Sequence, residues 1–66
     1  MITVFLNGTP RGISAETVAA MVAEFGLPPA LLLIEQNGKA LTRSEWETAR
    51  LQDGDRFEVL RVSAGG

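Results

Sequence analysis

Thr17-Val18-Ala19-Ala20-Met21-Val22-Ala23-Glu24-Phe25-Gly26-Leu27-Pro28-Pro29 carries helix signals at both ends. Thr17 is an N-cap residue, because its hydroxyl can accept from a free N–H of the first turn. Val18, Met21, Val22 and Phe25 recur at i, i+3, i+4 and i+7, which is one face of a helix. Gly26 stands where a glycine in the left-handed region ends a helix, and Pro28-Pro29 block any continuation. Each large apolar side chain that this face buries contributes about 1.5–3 kcal/mol. A single helix with one apolar face needs a sheet to cover, and the flanking sequence supplies strands.

On the N-terminal side, residues 2–7 alternate. Ile2, Val4 and Leu6 point one way and Thr3, Phe5 and Asn7 the other, which is the period of a strand with one face on a core. Asn7-Gly8 is a hairpin turn signal. The return strand is expected over Pro10 to Ser14, with Ile13 inward and Pro10 suited to an edge.

On the C-terminal side, Leu31 to Gln36 read as a third strand with Leu32 and Ile34 inward. Asn37-Gly38 turns it back through Lys39-Ala40-Leu41. Thr42-Arg43-Ser44-Glu45 matches a capping box and opens a short helical turn carrying Trp46. Trp46 has two readings, an anchor for a partner or a cap over the open end of the core. The second is the commoner role of a lone tryptophan in a small domain. Asp53-Gly54-Asp55 reads as a turn rather than a metal site, since Asp bonds its own backbone and Gly supplies positive φ. It launches a last strand, Arg56 to Val62, with Phe57 and Val59 inward.

These elements predict an α+β domain, a mixed sheet of four to five strands with one main helix on one face. The first and last strands become central parallel neighbours, because the helix makes the crossover between the two halves. Leu60, Val62 and Phe5 then fall on the sheet face away from the helix. They form either a partner-docking patch or a surface covered by loops.

The chain's 66 residues make one domain with a marginal core. There is no cysteine and no histidine, which excludes disulfides, Cys/His zinc sites and thiol chemistry within the chain. The net charge of −2 is spread among mixed charges, and four aromatics (three Phe and one Trp) are too few for stacking platforms, so nucleic acid is not the expected partner. Met1-Ile2-Thr3-Val4 lacks the basic start of a signal peptide, and the apolar run Leu27 to Ile34 is too short to span a bilayer. A cytoplasmic protein that does not associate with membranes is the expectation.

The chain ends on Ser63-Ala64-Gly65-Gly66. We expect a folded domain over residues 1–62 and a flexible tail over residues 63–66. Four extended residues reach about 13 Å, and two glycines can thread a channel too narrow for side chains. A frayed end is the other reading.

The order of elements and a final strand running into Ala64-Gly65-Gly66 resemble the ubiquitin-like β-grasp fold. More narrowly, the chain is similar to the bacterial sulfur carriers of thiamine biosynthesis. The matching points are Asn7, Glu16-Thr17-Val18, Asn37-Gly38, Arg43-Ser44-Glu45-Trp46, Leu51 with Asp53-Gly54-Asp55, and the terminal Gly65-Gly66. The resemblance implies that the chain is not itself an enzyme. An adenylating, E1-like activating enzyme uses ATP on the carboxylate of Gly66, and no cofactor is bound by the carrier. A cysteine desulfurase or sulfurtransferase relay then supplies sulfur to give a thiocarboxylate, and thiazole synthase consumes it. Ala64, Gly65 and Gly66 enter the partner's channel, while Phe5, Leu60 and Val62 dock the domain.

The small subunit of molybdopterin synthase resembles the chain next best, but it tends to be longer and to carry prolines before its glycines. A ubiquitin-like modifier, forming isopeptide bonds through Gly66, shares tail and fold. A β-grasp binding module with an idle tail is the reading from another class.

Overall fold

The computed structural model describes residues 1–62. Ser63, Ala64, Gly65 and Gly66 lie outside the described residues, and with them the expected tail and its entry into a partner. Strands β1 (Ile2–Leu6) and β2 (Thr9–Ile13) form a hairpin, followed by helix α1 (Val18–Glu24). Strands β3 (Leu32–Gln36) and β4 (Lys39–Leu41) form a second hairpin, and β5 (Arg56–Arg61) closes the domain. Short 3-10 helices span Pro29–Leu31 and Arg43–Glu47.

The five strands form one sheet in the order β2-β1-β5-β3-β4. β1 and β5 pair in parallel at its centre, Phe5 opposite Arg56 and Leu6 opposite Phe57, and the other pairings are antiparallel. The parallel pair is possible because α1 and the second hairpin lie between β1 and β5 in the chain. Both hairpins turn through Asn-Gly. Asn7 and Asn37 sit at φ 49° and 51°, each followed by a glycine at φ 85°. Positive φ at both central residues gives the turn a twist that matches the strands.

Helix α1 begins as its sequence demands. Ala20 N donates to Thr17 Oγ1 at 3.2 Å, and Gly26 takes φ 68° just beyond the last turn. Val18, Met21 and Val22 are buried against Val4, Ile13, Ile34 and Phe57. Trp46 joins them at 4% exposure, so it closes the core rather than standing out as an anchor.

Several boundaries shift from expectation. The first strand stops at Leu6, because Asn7 already adopts a left-handed turn conformation. The return strand is Thr9–Ile13 rather than residues 10–14, since the two-residue turn fixes Thr9 opposite Leu6. Leu31 belongs to a 3-10 helix started by Pro29, and the third strand opens at Leu32. Phe25 packs against the core as expected, but it is only half-buried because it is the C-cap residue of α1, and the Arg11 guanidinium lies 4.6 Å from its ring centroid. The last strand ends at Arg61, one residue early, although Val62 N still donates to Leu31 O at 2.7 Å.

Candidate functional site

Strand β5 leads into the terminal segment, so whatever fixes β5 sets where that segment starts. Leu6 is aligned with Phe57, so β1 ends while β5 runs on to Arg61. Asn7 extends the pairing past the end of β1. Its backbone N–H donates to Phe57 O at 2.8 Å. Its side chain then takes both polar groups of the next odd residue. Val59 N donates to Asn7 Oδ1 at 2.7 Å, and Asn7 Nδ2 donates to Val59 O at 3.0 Å.

Asn37 does the same from the other hairpin. Its N–H donates to Arg56 O at 2.8 Å, and Arg56 N donates to Asn37 Oδ1 at 2.9 Å. The two Asn-Gly turns therefore hold β5 from opposite sides. Both asparagines were legible as turn formers. Their second role needs the strand order, which places each turn beside β5.

The Asp53-Gly54-Asp55 turn anchors the start of β5. Thr3 N donates to Asp53 Oδ1 at 2.9 Å, and Gly54 N donates to Thr3 O at 2.7 Å. Asp55 is buried, at 8% exposure. Its carboxylate accepts from Asn37 Nδ2 at 3.0 Å, Gln36 Nε2 at 3.0 Å and Gln52 N at 2.9 Å. Burial, the largest single influence, pushes its pKa up. The bonds from Asn37, Gln52 and Gln36 together outweigh it and hold the carboxyl below the usual aspartate value. Asp55 is thus a structural carboxylate that ties the Asn37 turn to the start of β5.

The sheet face away from α1 holds Phe5, Leu60 and Val62, as the alternation predicts. Leu60 is 63% exposed and Val62 42% exposed, so no loop among the described residues covers them. Phe5 is half-buried and lies apart from the other two. It is the cross-strand neighbour of Arg56, whose guanidinium is 5.9 Å from its ring centroid, and Glu58 intervenes before Leu60. The neighbour that Leu60 does have is Leu33, directly opposite on β3 and 58% exposed. The same alternation that puts Leu32 and Ile34 inward puts Leu33 outward, so its place was available from the sequence.

The ThiS family profile matches residues 4–66, which takes in nearly the whole chain and its terminal glycines. This chain belongs to the ThiS family. Of its relatives, the sulfur carrier protein ThiS of Thermus thermophilus is 32% identical over 63 residues, covering 96% of this chain and 98% of that one. The crystal structure of the thiamine biosynthesis protein ThiS of Geobacter metallireducens superposes with a TM-score of 0.82. It is 28% identical and is covered in full by 98% of this chain. A thiazole synthase of Paramagnetospirillum magneticum is 31% identical over 62 residues, which is 92% of this chain but 19% of that protein. The chain therefore spans about a fifth of the length of that relative. The ThiS assignment agrees with the resemblance and with the β-grasp fold, and it places the chain among the sulfur carriers of thiamine biosynthesis.

Proposed function

We propose that Gly66 is the reactive end of this carrier and that its carboxylate cycles to a thiocarboxylate which feeds thiazole formation. The observation that carries the reading is the family match, which continues through Gly65-Gly66. A terminal carboxyl has an ordinary pKa of about 3.3–3.7, so it is ionised at neutral pH and resists nucleophiles. It becomes an electrophile when one oxygen attacks the α-phosphorus of ATP, giving an acyl-adenylate and pyrophosphate. The outer sulfur of a persulfide donor then displaces AMP at the same carbon, giving an acyl disulfide. A second thiol of the donor attacks the donor-side sulfur, so the S–S bond breaks, the thiocarboxylate leaves and the donor is left as a disulfide.

With no cysteine or histidine the chain offers no thiol or imidazole to catalyse either step. The chain carries the sulfur, and its partners supply the chemistry. An adenylating enzyme binds the ATP, and a cysteine desulfurase or sulfurtransferase delivers sulfur. Thiazole synthase is the acceptor. That partner is supported by the Paramagnetospirillum relative, a thiazole synthase that includes a stretch similar to this chain. Leu60 and Val62, with Phe5 at the far end of the same face, dock the domain while Ala64, Gly65 and Gly66 reach the active site. The cytoplasm, where ATP is available, is the compartment in which this chemistry runs. Among the described residues no helix is long and apolar enough to cross a membrane.

Intact mass after incubation with the purified adenylating enzyme, ATP and a sulfur donor tests the reading. A gain of about 16 Da, sulfur for oxygen at the C-terminus, is the expected result. An unchanged mass would sink it, and adducts heavier by a whole protein would move the chain to the modifiers.

A further inference from the structure

The outer face of the sheet carries a like-charge pair that the fold does not need. Glu35 on β3 and Glu58 on β5 lie directly opposite each other, and both are exposed. Like charges in that relation destabilise a sheet. Among the described residues the ion pairs within 4.0 Å are Lys39–Glu45 and Arg50–Glu16, so neither Glu35 nor Glu58 has one. Arg56 shares the face, two residues before Glu58, but it lies over Phe5. On the other flank Glu35 has only Ala40 as its cross-strand neighbour.

The next rung of the same ladder is apolar, Leu33 opposite Leu60. The two rungs border one groove. Glu35, Glu58, Leu33 and Leu60 line it together with Ala40 and Leu41, and it holds about 210 Å³. That is below the roughly 300 Å³ at which small-molecule pockets begin, and it suits one long side chain.

We propose that this groove receives an arginine side chain from the surface of thiazole synthase. The inference rests on the carrier reading above, which names the partner. The arginine's methylene stem lies along Leu33 and Leu60, as long cationic side chains do over apolar surface. Its guanidinium reaches the two carboxylates. Arginine fits better than lysine because its planar fork can serve both carboxylates and is more weakly hydrated. The same pair argues against a second copy as the occupant, since this face set on itself would bring four carboxylates together.

The test is the affinity of the full chain for purified thiazole synthase at low and high salt. Wild type is compared with Glu35→Gln, Glu58→Gln and the double variant, and with Glu24→Gln on α1 as a remote control. Each groove variant should weaken binding about tenfold at low salt, and the double variant should lose most of the salt dependence. Glu24→Gln should bind as wild type does. Thermal stability of the double variant should hold or rise, because a repulsion is removed, so weakened binding would not reflect unfolding. A double variant with wild-type affinity and salt dependence would overturn the arginine groove while leaving the carrier reading intact. Failure of the wild-type protein to bind would overturn thiazole synthase as partner, and the proposal with it.

Discussion

The side-chain amide of Asn7 takes the place of a strand beside Val59, with Oδ1 2.7 Å from Val59 N and Nδ2 3.0 Å from Val59 O. β1 has already ended at that level, so one asparagine completes the pairing of β5 where no backbone can. The strand leading to the terminal glycines is thereby held from both sides almost to its end.

Asn7→Ala removes both bonds and leaves a residue with a Cβ at φ 49°. Two hydrogen bonds and an unfavourable left-handed residue together amount to a loss of about 2–3 kcal/mol. Asn7→Gly keeps the backbone comfortable and should lose only about 1–2 kcal/mol. Urea unfolding of the three proteins checks both values.

Asp55→Asn replaces an acceptor with an amide that faces the donors of Asn37, Gln36 and Gln52. A loss of about 2 kcal/mol is expected at neutral pH. The folded-state pKa lies below the ordinary value of 3.8, so the unfolded chain binds the proton more tightly. The stability this carboxylate supplies is complete above pH 3.8 and is lost as pH falls through the lower folded value. The gap between wild type and Asp55→Asn should therefore narrow on acidification below about pH 4, measured as unfolding midpoint against pH.

Most of the fold is legible in the sequence. The periodicity of Val18, Met21 and Val22, the Thr17 cap, the two Asn-Gly turns and the alternation around Val4 and Phe57 each have a local cause. What escaped has a non-local one. Phe25 meets the core as its spacing predicts, but its partial burial and its capping role come from the chain turning at Gly26. Asn7, Asn37 and Asp55 read as turn residues, and their bonds to β5 depend on which strands become neighbours. On the outer sheet face, the exposure of Leu60 and Val62 was legible, while the distance of Phe5 from them follows from the parallel register of β1 on β5. Gly66 was legible only as a chemical end, and it lies outside the described residues.

Trp46 is buried with its indole Nε1 unpartnered among the described residues. Trp46→Phe loses volume but also removes a buried donor that has no acceptor. The two effects oppose each other, so the change should cost no more than about 1 kcal/mol, well under the 3–5 kcal/mol of a truncation to alanine. Thermal melts of Trp46→Phe and Trp46→Ala distinguish the two.

Leu60→Ala acts on an exposed side chain and should leave unfolding within about 0.5 kcal/mol of wild type. Binding to thiazole synthase should fall about tenfold, the loss of one docking side chain. Unfolding and binding titrations on the same sample separate the two effects.

The central claim is that sulfur passes from Gly66 to the thiazole. The carrier would be loaded with isotopically labelled sulfur at Gly66, purified, and mixed with thiazole synthase and its other substrates. The account predicts label in the thiazole product and a protein returned to its carboxylate mass. Label that stays on the protein, or a thiazole formed without it, would contradict the account.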